Sequence, residues 1–173
     1  MTEDKLKSLA KLRRKPLIEE VGYITEQLSE ILIEYAEANR GGVRNSIESR
    51  YSKMNTDQSE LSLDISRFYD QVRISDSKLL EIVKSELGIP VTDLRIGVLD
   101  SGCSLDWHMD YEDKLRIHVD LNMDSEFLFK IREVEQAEKK KRLFVYKINA
   151  SHYHKVINDS EYKKYALIGT SLV

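Results

Sequence analysis

The residues in this chain that are best suited to metal chemistry are His108, Asp110 and His154. His108 and Asp110 are separated only by Met109. On a β-strand, side chains at positions i and i+2 point to the same face, so a strand would present this imidazole and this carboxylate together. Two histidines and one carboxylate form the facial triad that binds non-haem Fe(II) and leaves coordination positions open. The pattern therefore indicates a metal site, with His154 as the candidate second histidine from a distant strand.

A run of alternating residues follows the His-x-Asp pair. Over residues 115–120 every second side chain is apolar, and the side chains between them are Arg116, His118 and Asp120. This alternation is typical of a strand with one apolar and one polar face. An arginine and a histidine so close to a candidate metal site predict that the polar face lines a pocket. On this pattern alone, an ordinary solvent-exposed face remains the alternative.

The second half of the chain has the spacing of an all-β structure. Alternation begins after Pro90, and Ser101-Gly102 is a turn signal. Strand-like runs occur at short intervals, without a helical pattern between them, at 94–99, 115–121, 127–131, 143–148, 152–157 and 164–172. Short strands at such spacing predict a β-sandwich or barrel. We expect the charged segment 134–141 to be an excursion between two strands.

The first half is expected to be mainly helical. An apolar stripe at three- and four-residue steps runs from Leu17 to Tyr35, and Gly41-Gly42 would end that helix. Residues 43–60 are polar with little periodicity, which predicts a long loop.

Two more helices are expected before the β half. One is indicated at 61–72, and a second would be capped by Ser75 or Asp76 and ended by Gly88. The chain would then divide into a helical region, residues 1–92, packed on a β unit, residues 93–173.

Composition narrows the class of protein. The chain has 173 residues, of which 41% are hydrophobic, enough to build a core. The net charge of -3 argues against nucleic acid as a partner, because phosphate binding needs a basic excess. The single cysteine, Cys103, excludes an internal disulfide and fits a reducing compartment. Because no apolar run approaches the ~20 residues that cross a bilayer and no secretory signal is visible, we expect a cytoplasmic protein without membrane binding.

Taken together, the motifs of the second half resemble the aspartyl/asparaginyl β-hydroxylase family. The resemblance covers about residues 93–173. Its motifs, in chain order, are His108-x-Asp110, Leu115-Arg116-Ile117-His118, His154-x-Val156-x-Asn158 and a basic residue ten positions after the distal histidine. Members of this family are 2-oxoglutarate- and Fe(II)-dependent oxygenases with a double-stranded β-helix fold. The resemblance therefore implies that fold, Fe(II), 2-oxoglutarate and O2 as cofactors, and a hydroxylase activity that releases succinate and CO2.

The resemblance also assigns roles. The catalytic iron would be held by His108, Asp110 and His154. Lys164 stands where the family has an arginine that pairs with a carboxylate of 2-oxoglutarate, and a lysine would bind that carboxylate less directionally.

Other residues receive less direct assignments. Arg116 and His118 would lie near the cosubstrate carboxylates. His152 has the same strand parity as His154 and could replace it as a ligand, but the spacing to Val156 favours His154. Asn158 would support the turn after the distal histidine.

Substrate contacts are the least defined by the sequence. Trp107 and Tyr111 flank the His-x-Asp pair and could form a pocket wall, although aromatic residues in a small core need no special role. In the 43–60 loop, Arg44, Arg50 and Tyr51 could reach the site, and a disordered linker is the alternative.

We therefore predict an α+β protein, in which a double-stranded β-helix core of the jelly-roll or cupin type is covered by an N-terminal helical layer. The predicted function is hydroxylation of an amino acid, free or within a polypeptide. Two alternatives remain open. One is a non-catalytic cupin-like protein that binds a metal or a small carboxylate, and the other is a cupin-type enzyme that uses another metal without 2-oxoglutarate. The helical layer offers a surface for a homodimer, which the sequence does not decide.

Overall fold

The structure is a computed structural model that describes residues 2–40, 69–110 and 114–173. Within these ranges, the helices are α1 (Glu3–Leu12), α2 (Glu26–Ala38) and α3 (Ser77–Leu87). The strands are β1 (Ile18–Tyr23), β2 (Tyr69–Arg73), β3 (Val91–Leu99), β4 (Ser104–His108), β5 (Arg116–Asp120), β6 (Ser125–Ile131), β7 (Val134–Lys140), β8 (Phe144–Ile148), β9 (Tyr153–Ile157) and β10 (Lys164–Ser171). None of these helices is long and apolar enough to cross a membrane.

The strands form two antiparallel sheets. The larger sheet has six strands in the order β1-β8-β5-β10-β3-β2, and the smaller sheet has four in the order β4-β9-β6-β7. From β3 onward the chain passes repeatedly from one sheet to the other. This arrangement is a double-stranded β-helix, so the predicted fold is confirmed.

The larger sheet has two chemically different faces. Its outer face presents residues such as Ile96 and Val119 to α2 and α3, whose buried residues include Leu32 and Val83. Its inner face turns toward the smaller sheet, where a second apolar cluster is centred on Phe129. Because the helices cover the outer face, the inner face is the one that can hold a functional pocket.

The structure corrects the expected start of the first long helix. Residues 18–23 form β1, which pairs with β8 at one edge of the larger sheet. The helix begins at Glu26, after Thr25, whose side-chain oxygen accepts a hydrogen bond from the Leu28 N–H at 3.2 Å. The apolar residues of β1 match the three- and four-residue steps of the helix that follows, so periodicity alone merged a strand with a helix.

The predicted helix at 61–72 is wrong for residues 69–72, the part of it that the structure describes. Tyr69–Arg73 is an edge strand that pairs with β3. The segment 61–68, the 43–60 loop and Gly41-Gly42 lie outside the described residues. Because β1 and β2 both belong to the larger sheet, the region 1–92 is not purely helical, and its boundary with 93–173 stays a prediction.

The charged segment 134–141 is also different from the prediction. Most of it is β7, which pairs with β6 along its whole length. The two residues between these strands, Arg132 and Glu133, both have positive φ angles, of 49° and 66°. Two-residue hairpin turns of this kind usually carry asparagine or glycine, so no hairpin signal is visible in the sequence.

The start and end of α3 agree with the prediction. The Asp76 side chain accepts a hydrogen bond from the Leu79 N–H at 2.9 Å, and Gly88 ends the helix in the left-handed conformation with φ of 65°. The expected turn at Ser101-Gly102 is also present, and there the Cys103 N–H donates to the Asp100 carbonyl at 3.2 Å. This turn leads β3 into β4, the strand that carries His108.

Candidate metal centre and the pocket beside it

A pocket lies between the inner faces of the two sheets. We call it the barrel pocket. The smaller sheet contributes His108 and His154 to its wall, and the larger sheet contributes Arg116, His118 and Lys164. The pocket therefore joins the two groups of residues that the sequence singled out separately.

The three predicted metal ligands meet at this pocket. His108 and His154 face each other across the β4–β9 pairing, and their ring centroids are 4.2 Å apart. Together with Asp110 they offer one ligand atom each, and these atoms lie within 4.8 Å of one another. This convergence comes from residues distant in sequence, brought together by strand pairing.

Both histidines are oriented by backbone carbonyls. The Nδ1–H of His108 donates to the Asp106 carbonyl at 2.6 Å, and the Nδ1–H of His154 donates to the His152 carbonyl at 2.9 Å. With Nδ1 protonated, each neutral ring keeps its Nε2 lone pair for a metal. Burial and the neighbouring His108 lower the pKa of His154 to about 4, which keeps that ring neutral at neutral pH.

Asp110 is held by an arginine from the opposite sheet. The Arg116 Nε–H donates to Asp110 Oδ2 at 2.7 Å, and the Arg116 Nη1–H donates to Thr170 Oγ1 at the same distance. Burial alone would raise the pKa of Asp110, but Arg116 and the two histidines lower it below the usual range. Arg116 therefore acts on the candidate ligand Asp110, a contact that the sequence interpretation did not foresee.

A second polar cluster surrounds His118. The Lys140 ammonium donates to His118 Nδ1 at 2.8 Å and lies 2.9 Å from Asp120 Oδ2. Ser125 Oγ–H donates to the same carboxylate oxygen at 2.6 Å. Since Nδ1 of His118 accepts a hydrogen bond, its Nε2 carries the proton of the neutral ring.

The electrostatics of this cluster follow from burial. Burial and the Lys140 charge lower the pKa of His118 well below its usual value, so the ring is neutral at neutral pH. Burial lowers the pKa of Lys140 to about 7, although Asp120 opposes the shift. Burial raises the pKa of Asp120, but Lys140 and Lys164 outweigh that effect and lower it, so the carboxylate stays charged.

Lys164 is the cation of this cluster that lines the pocket. Its side chain is 3% exposed, its Nζ lies 3.6 Å from Asp120 Oδ1, and among the described residues Nζ has no hydrogen-bond partner. Burial lowers its pKa, and Asp120 opposes this. Two ammonium groups, those of Lys140 and Lys164, thus share one carboxylate.

Several residues of the site were missed by sequence reasoning. Lys140 lay in the segment predicted to be an excursion, and only its unusual burial identifies it. Arg95, Gln71 and Tyr69 also line the pocket, from β3 and β2. Arg95 belongs to an alternating strand pattern like that of Arg116, which was the available signal, while Gln71 and Tyr69 were assigned to a helix.

Other predicted contacts are not brought to the pocket. Trp107 does not line it, and the Lys130 ammonium lies 5.6 Å from its ring centroid instead. The geometry therefore does not support Trp107 as a substrate contact. His152 is not part of the ligand cluster, and its Nε2 lies 3.3 Å from the Arg13 carbonyl, so His154 is the distal histidine of the cluster. The other candidates, Tyr111, Arg44, Arg50 and Tyr51, lie outside the described residues.

Asn158 has the structural position that was expected. Its side-chain amide donates to the carbonyls of Leu99, Asp100 and Tyr162, at 2.9, 3.1 and 2.8 Å. These bonds join the end of β3 to the segment that leads from β9 into β10.

Solved structures share this fold over nearly the whole chain. An oxidoreductase of the 2OG-Fe(II) oxygenase family from Burkholderia pseudomallei aligns with a TM-score of 0.55 and 11% identity, over 96% of this chain and 88% of that one. A prolyl-4-hydroxylase from Pseudomonas putida aligns with a TM-score of 0.52 and 12% identity, over 96% and 98%. A prolyl hydroxylase from Trichoplax adhaerens, in complex with a peptide fragment of hypoxia inducible factor, aligns with a TM-score of 0.55 and 12% identity, over 98% and 90%.

These likenesses define the fold of the chain. No protein-family model and no curated protein sequence matches it. The structural neighbours are 2OG-Fe(II) oxygenases and prolyl hydroxylases, while the narrower resemblance to aspartyl/asparaginyl β-hydroxylases stays a prediction.

Proposed function

We propose that this protein is an Fe(II)- and 2-oxoglutarate-dependent oxygenase that hydroxylates an amino acid, free or within a polypeptide. The observation that carries this proposal is the convergence of His108, Asp110 and His154, with ligand atoms within 4.8 Å, beside a pocket that also contains the buried ammonium of Lys164. One end of this arrangement suits a metal, and the other suits an anion.

The residues at the metal end fit Fe(II). Two imidazoles and one carboxylate are the donor set of the non-haem iron facial triad. In His108 and His154 the Nδ1–H donates to a backbone carbonyl, so the free lone pair of each neutral ring is on Nε2. Arg116 orients Asp110. Partners of this kind fix metal ligands in place and tune their basicity.

The residues at the other end fit the far carboxylate of 2-oxoglutarate. Lys164 Nζ is buried with no hydrogen-bond partner among the described residues. A buried ammonium in this state is costly unless an anion accepts its hydrogen bonds. Among the described residues, Asp120 is the one carboxylate within 4.0 Å of both Lys140 and Lys164, so a bound carboxylate would supply a second negative charge at close range when both lysines are protonated.

When bound, Fe(II), 2-oxoglutarate and O2 supply the oxidising chemistry, in which the cosubstrate becomes succinate and CO2 while the substrate is hydroxylated. The chain's own residues bind, orient and exclude water. Lys164 would anchor the cosubstrate, His118 would offer its Nε2–H, and Arg116 would keep Asp110 in position. Apolar wall residues such as Phe127 and Val156 would keep the site dry.

The proposed substrate is an amino acid, either free or within a polypeptide. The Trichoplax adhaerens neighbour is bound to a peptide, which is consistent with a peptide or protein substrate, and a free amino acid is the other possibility. A cytoplasmic location, as expected from the single cysteine, is part of the same proposal.

An anaerobic titration of the apo-protein with Fe(II) and then 2-oxoglutarate tests the proposal. A visible charge-transfer band that requires both additions, and that is absent in His154→Ala, is the expected result. Iron binding without the band would favour a cupin-type enzyme that uses no 2-oxoglutarate. A folded protein that binds no iron would favour a cupin-like binding protein.

A further inference from the structure

Arg95 is a buried guanidinium in the barrel pocket that the proposed cofactors do not use. It lies on β3, is 8% exposed, and contributes to the pocket wall. Its Nε is buried and has no hydrogen-bond partner among the described residues. Leaving a charged donor unpaired in a protein interior is costly, so a ligand that accepts from Nε would stabilise the site.

Among the residues that the structure describes, the surroundings of Arg95 leave one positive charge uncompensated. Arg95 Nη1 donates to the carboxylate of Asp93, and the same carboxylate accepts from Arg73 at 3.0 Å. Two guanidinium groups therefore share one carboxylate. Arg73 is on the solvent side, with 58% of its side chain exposed, so Arg95 is the member of the pair that faces the pocket.

A strand irregularity creates this arrangement. The β10–β3 register shifts between Ile168 and Thr170, and Asp93 has a φ of 55° there. Asparagine and aspartate tolerate this left-handed conformation better than most residues, and β-bulges often re-aim side chains next to functional sites. The bulge lets Asp93 hold one edge of the Arg95 guanidinium while Nε stays unpaired.

Arg95 is separated from the cosubstrate anchor along the strands. Arg95 is opposite Ile168 on β10, which is four residues from Lys164. At ~3.3 Å per residue these positions are about 13 Å apart along β10. On the other side of β10, Ile168 is opposite His118, and Thr170 is opposite Arg116, which contacts Asp110. Arg95 is therefore level with His118, and it lies two residues from the level of Arg116 and four from that of Lys164.

Neighbouring residues make the pocket wall beside Arg95 polar. Gly97 and Gln71 are direct register partners on β3 and β2, and both line the pocket. A Cβ at Gly97 would lie 3.0 Å from Ile168 Cδ1 and 3.1 Å from the Tyr69 hydroxyl. The Gln71 amide donates to that hydroxyl at 2.9 Å. Because Gly97 has no side chain, Tyr69 can pack closely against this part of β3, and its hydroxyl accepts the hydrogen bond from Gln71.

We propose that Arg95 anchors a carboxylate of the hydroxylated substrate, in a subsite that Gln71, Tyr69 and Gly97 complete. This inference rests on the proposed function and narrows the substrate to a carboxylate-bearing amino acid or peptide. A single uncompensated positive charge suits a monoanion, and a planar guanidinium matches a carboxylate. The carboxylate has two sources, the α-carboxylate of a free amino acid or an acidic side chain within a peptide.

The direct test is a 15N NMR titration of the Arg95 Nε–H signal, assigned by its loss in Arg95→Lys. The protein is loaded with Zn(II), as a diamagnetic substitute for iron, and with 2-oxoglutarate. The probes are the twenty common L-amino acids in pools, the carboxamide of each that responds, and pentapeptides with a central aspartate or asparagine.

We expect the Arg95 signal to shift with a carboxylate probe and not with its amide counterpart. A response to free amino acids identifies the α-carboxylate as the source, and a response only to the aspartate peptide identifies a side chain. A shift on 2-oxoglutarate alone, or no shift with any carboxylate probe, would overturn the proposal.

Kinetics separate this inference from the proposed function. Arg95→Met should raise KM for the carboxylate substrate roughly tenfold to a hundredfold, as expected for loss of a charge-assisted hydrogen bond. Arg73→Met is the matched control, because Arg73 shares Asp93 but is exposed, and its KM should stay near that of wild type.

Succinate release with equal KM for acid and amide probes would refute the subsite and leave the oxygenase proposal intact. A carboxylate-dependent Arg95 shift without any succinate release would refute the oxygenase and leave the subsite.

If Arg95→Met does not fold, the wild-type NMR titration and Arg95→Lys still decide the question.

Discussion

The ammonium group of Lys140 lies 2.9 Å from Asp120 Oδ2, and neither side chain has exposed surface. Lys140 belongs to β7 in the smaller sheet, and Asp120 belongs to β5 in the larger sheet. This ion pair therefore connects the two sheets beside His118. Because both charges are out of water, their pairing matters more than that of an ion pair on the surface.

Removing the carboxylate should be strongly destabilising. Asp120→Asn removes the carboxylate that, among the described residues, is the ion-pair partner of both Lys140 and Lys164, and we expect the free energy of unfolding to fall by about 3–5 kcal/mol. Lys140→Met should cost less, since Lys164 remains 3.6 Å from Asp120. Urea denaturation measures the free energy of unfolding of each variant. Lys7→Ala, in the exposed Glu3–Lys7 pair, is the control and should change that free energy by less than ~0.5 kcal/mol. An Asp120→Asn protein as stable as wild type would contradict this account.

Iron binding should depend on His154 and not on His152. His108→Ala and His154→Ala each remove one of three ligands, so we expect loss of stoichiometric Fe(II) binding. His152→Ala is the matched control, since its ring lies outside the cluster, near the Arg13 carbonyl. Bound iron is measured by metal analysis after anaerobic loading and desalting. Loss of iron in His152→Ala alone would show that His152, and not His154, is the ligand.

Affinity for 2-oxoglutarate should depend on Lys164. Lys164→Ala removes the buried ammonium, and we expect the Kd for 2-oxoglutarate to rise roughly tenfold to a hundredfold. Lys163→Ala is the control, because this neighbouring lysine is 42% exposed and points toward Glu37. Calorimetric titration of the Zn(II)-loaded protein measures Kd without turnover. If Lys164→Ala has wild-type affinity while Arg116→Ala has none, the carboxylate assignment is wrong.

Acid should destabilise the protein partly through His118. Its pKa is lowered by burial and by Lys140, and the groups around it are Lys140, Asp120, Lys164 and His154. Below about pH 6.5 the unfolded state binds a proton that folded His118 does not, so stability falls as the pH falls toward the folded pKa.

The slope from one such group is about 1.4 kcal/mol per pH unit. His118→Gln keeps a hydrogen-bond acceptor for Lys140 but removes the titration, so its urea-derived stability should fall less steeply between pH ~6.5 and ~5. An unchanged slope would show that folded His118 binds its proton in the same pH range as the unfolded chain, and that its pKa is therefore not lowered.

The features that could be predicted from the sequence are those that depend on residues close together in the chain. The pair His108 and Asp110, the alternation around Arg116 and the cap at Asp76 depend on spacing of two to a few residues. His108 and Asp110 meet in one cluster as expected, although β4 ends at His108 and Asp110 lies just beyond the strand. The strand at Arg116 and the cap at Asp76 are where they were expected. The fold followed from many short strands and from the resemblance of the motifs.

The features that could not be read depend on partners distant in sequence. β1 is a strand because β8 pairs with it, although its apolar spacing also suits a helix. Lys140 is indistinguishable in sequence from the lysines beside it, and only the fold buries it against Asp120. Arg95 and Gln71 become pocket neighbours through the β2–β3 register, which no local pattern specifies.

The order of strands in the larger sheet has a consequence for how the chain folds. β10, the last strand, lies between β5 and β3 in the middle of the sheet, and β1 pairs with β8 across most of the chain. During synthesis, the ribosome must release residues 164–171 before β3 and β5 can find their common neighbour. Such non-local pairing slows folding, so nascent chains would expose unpaired strand edges and be candidates for chaperone binding.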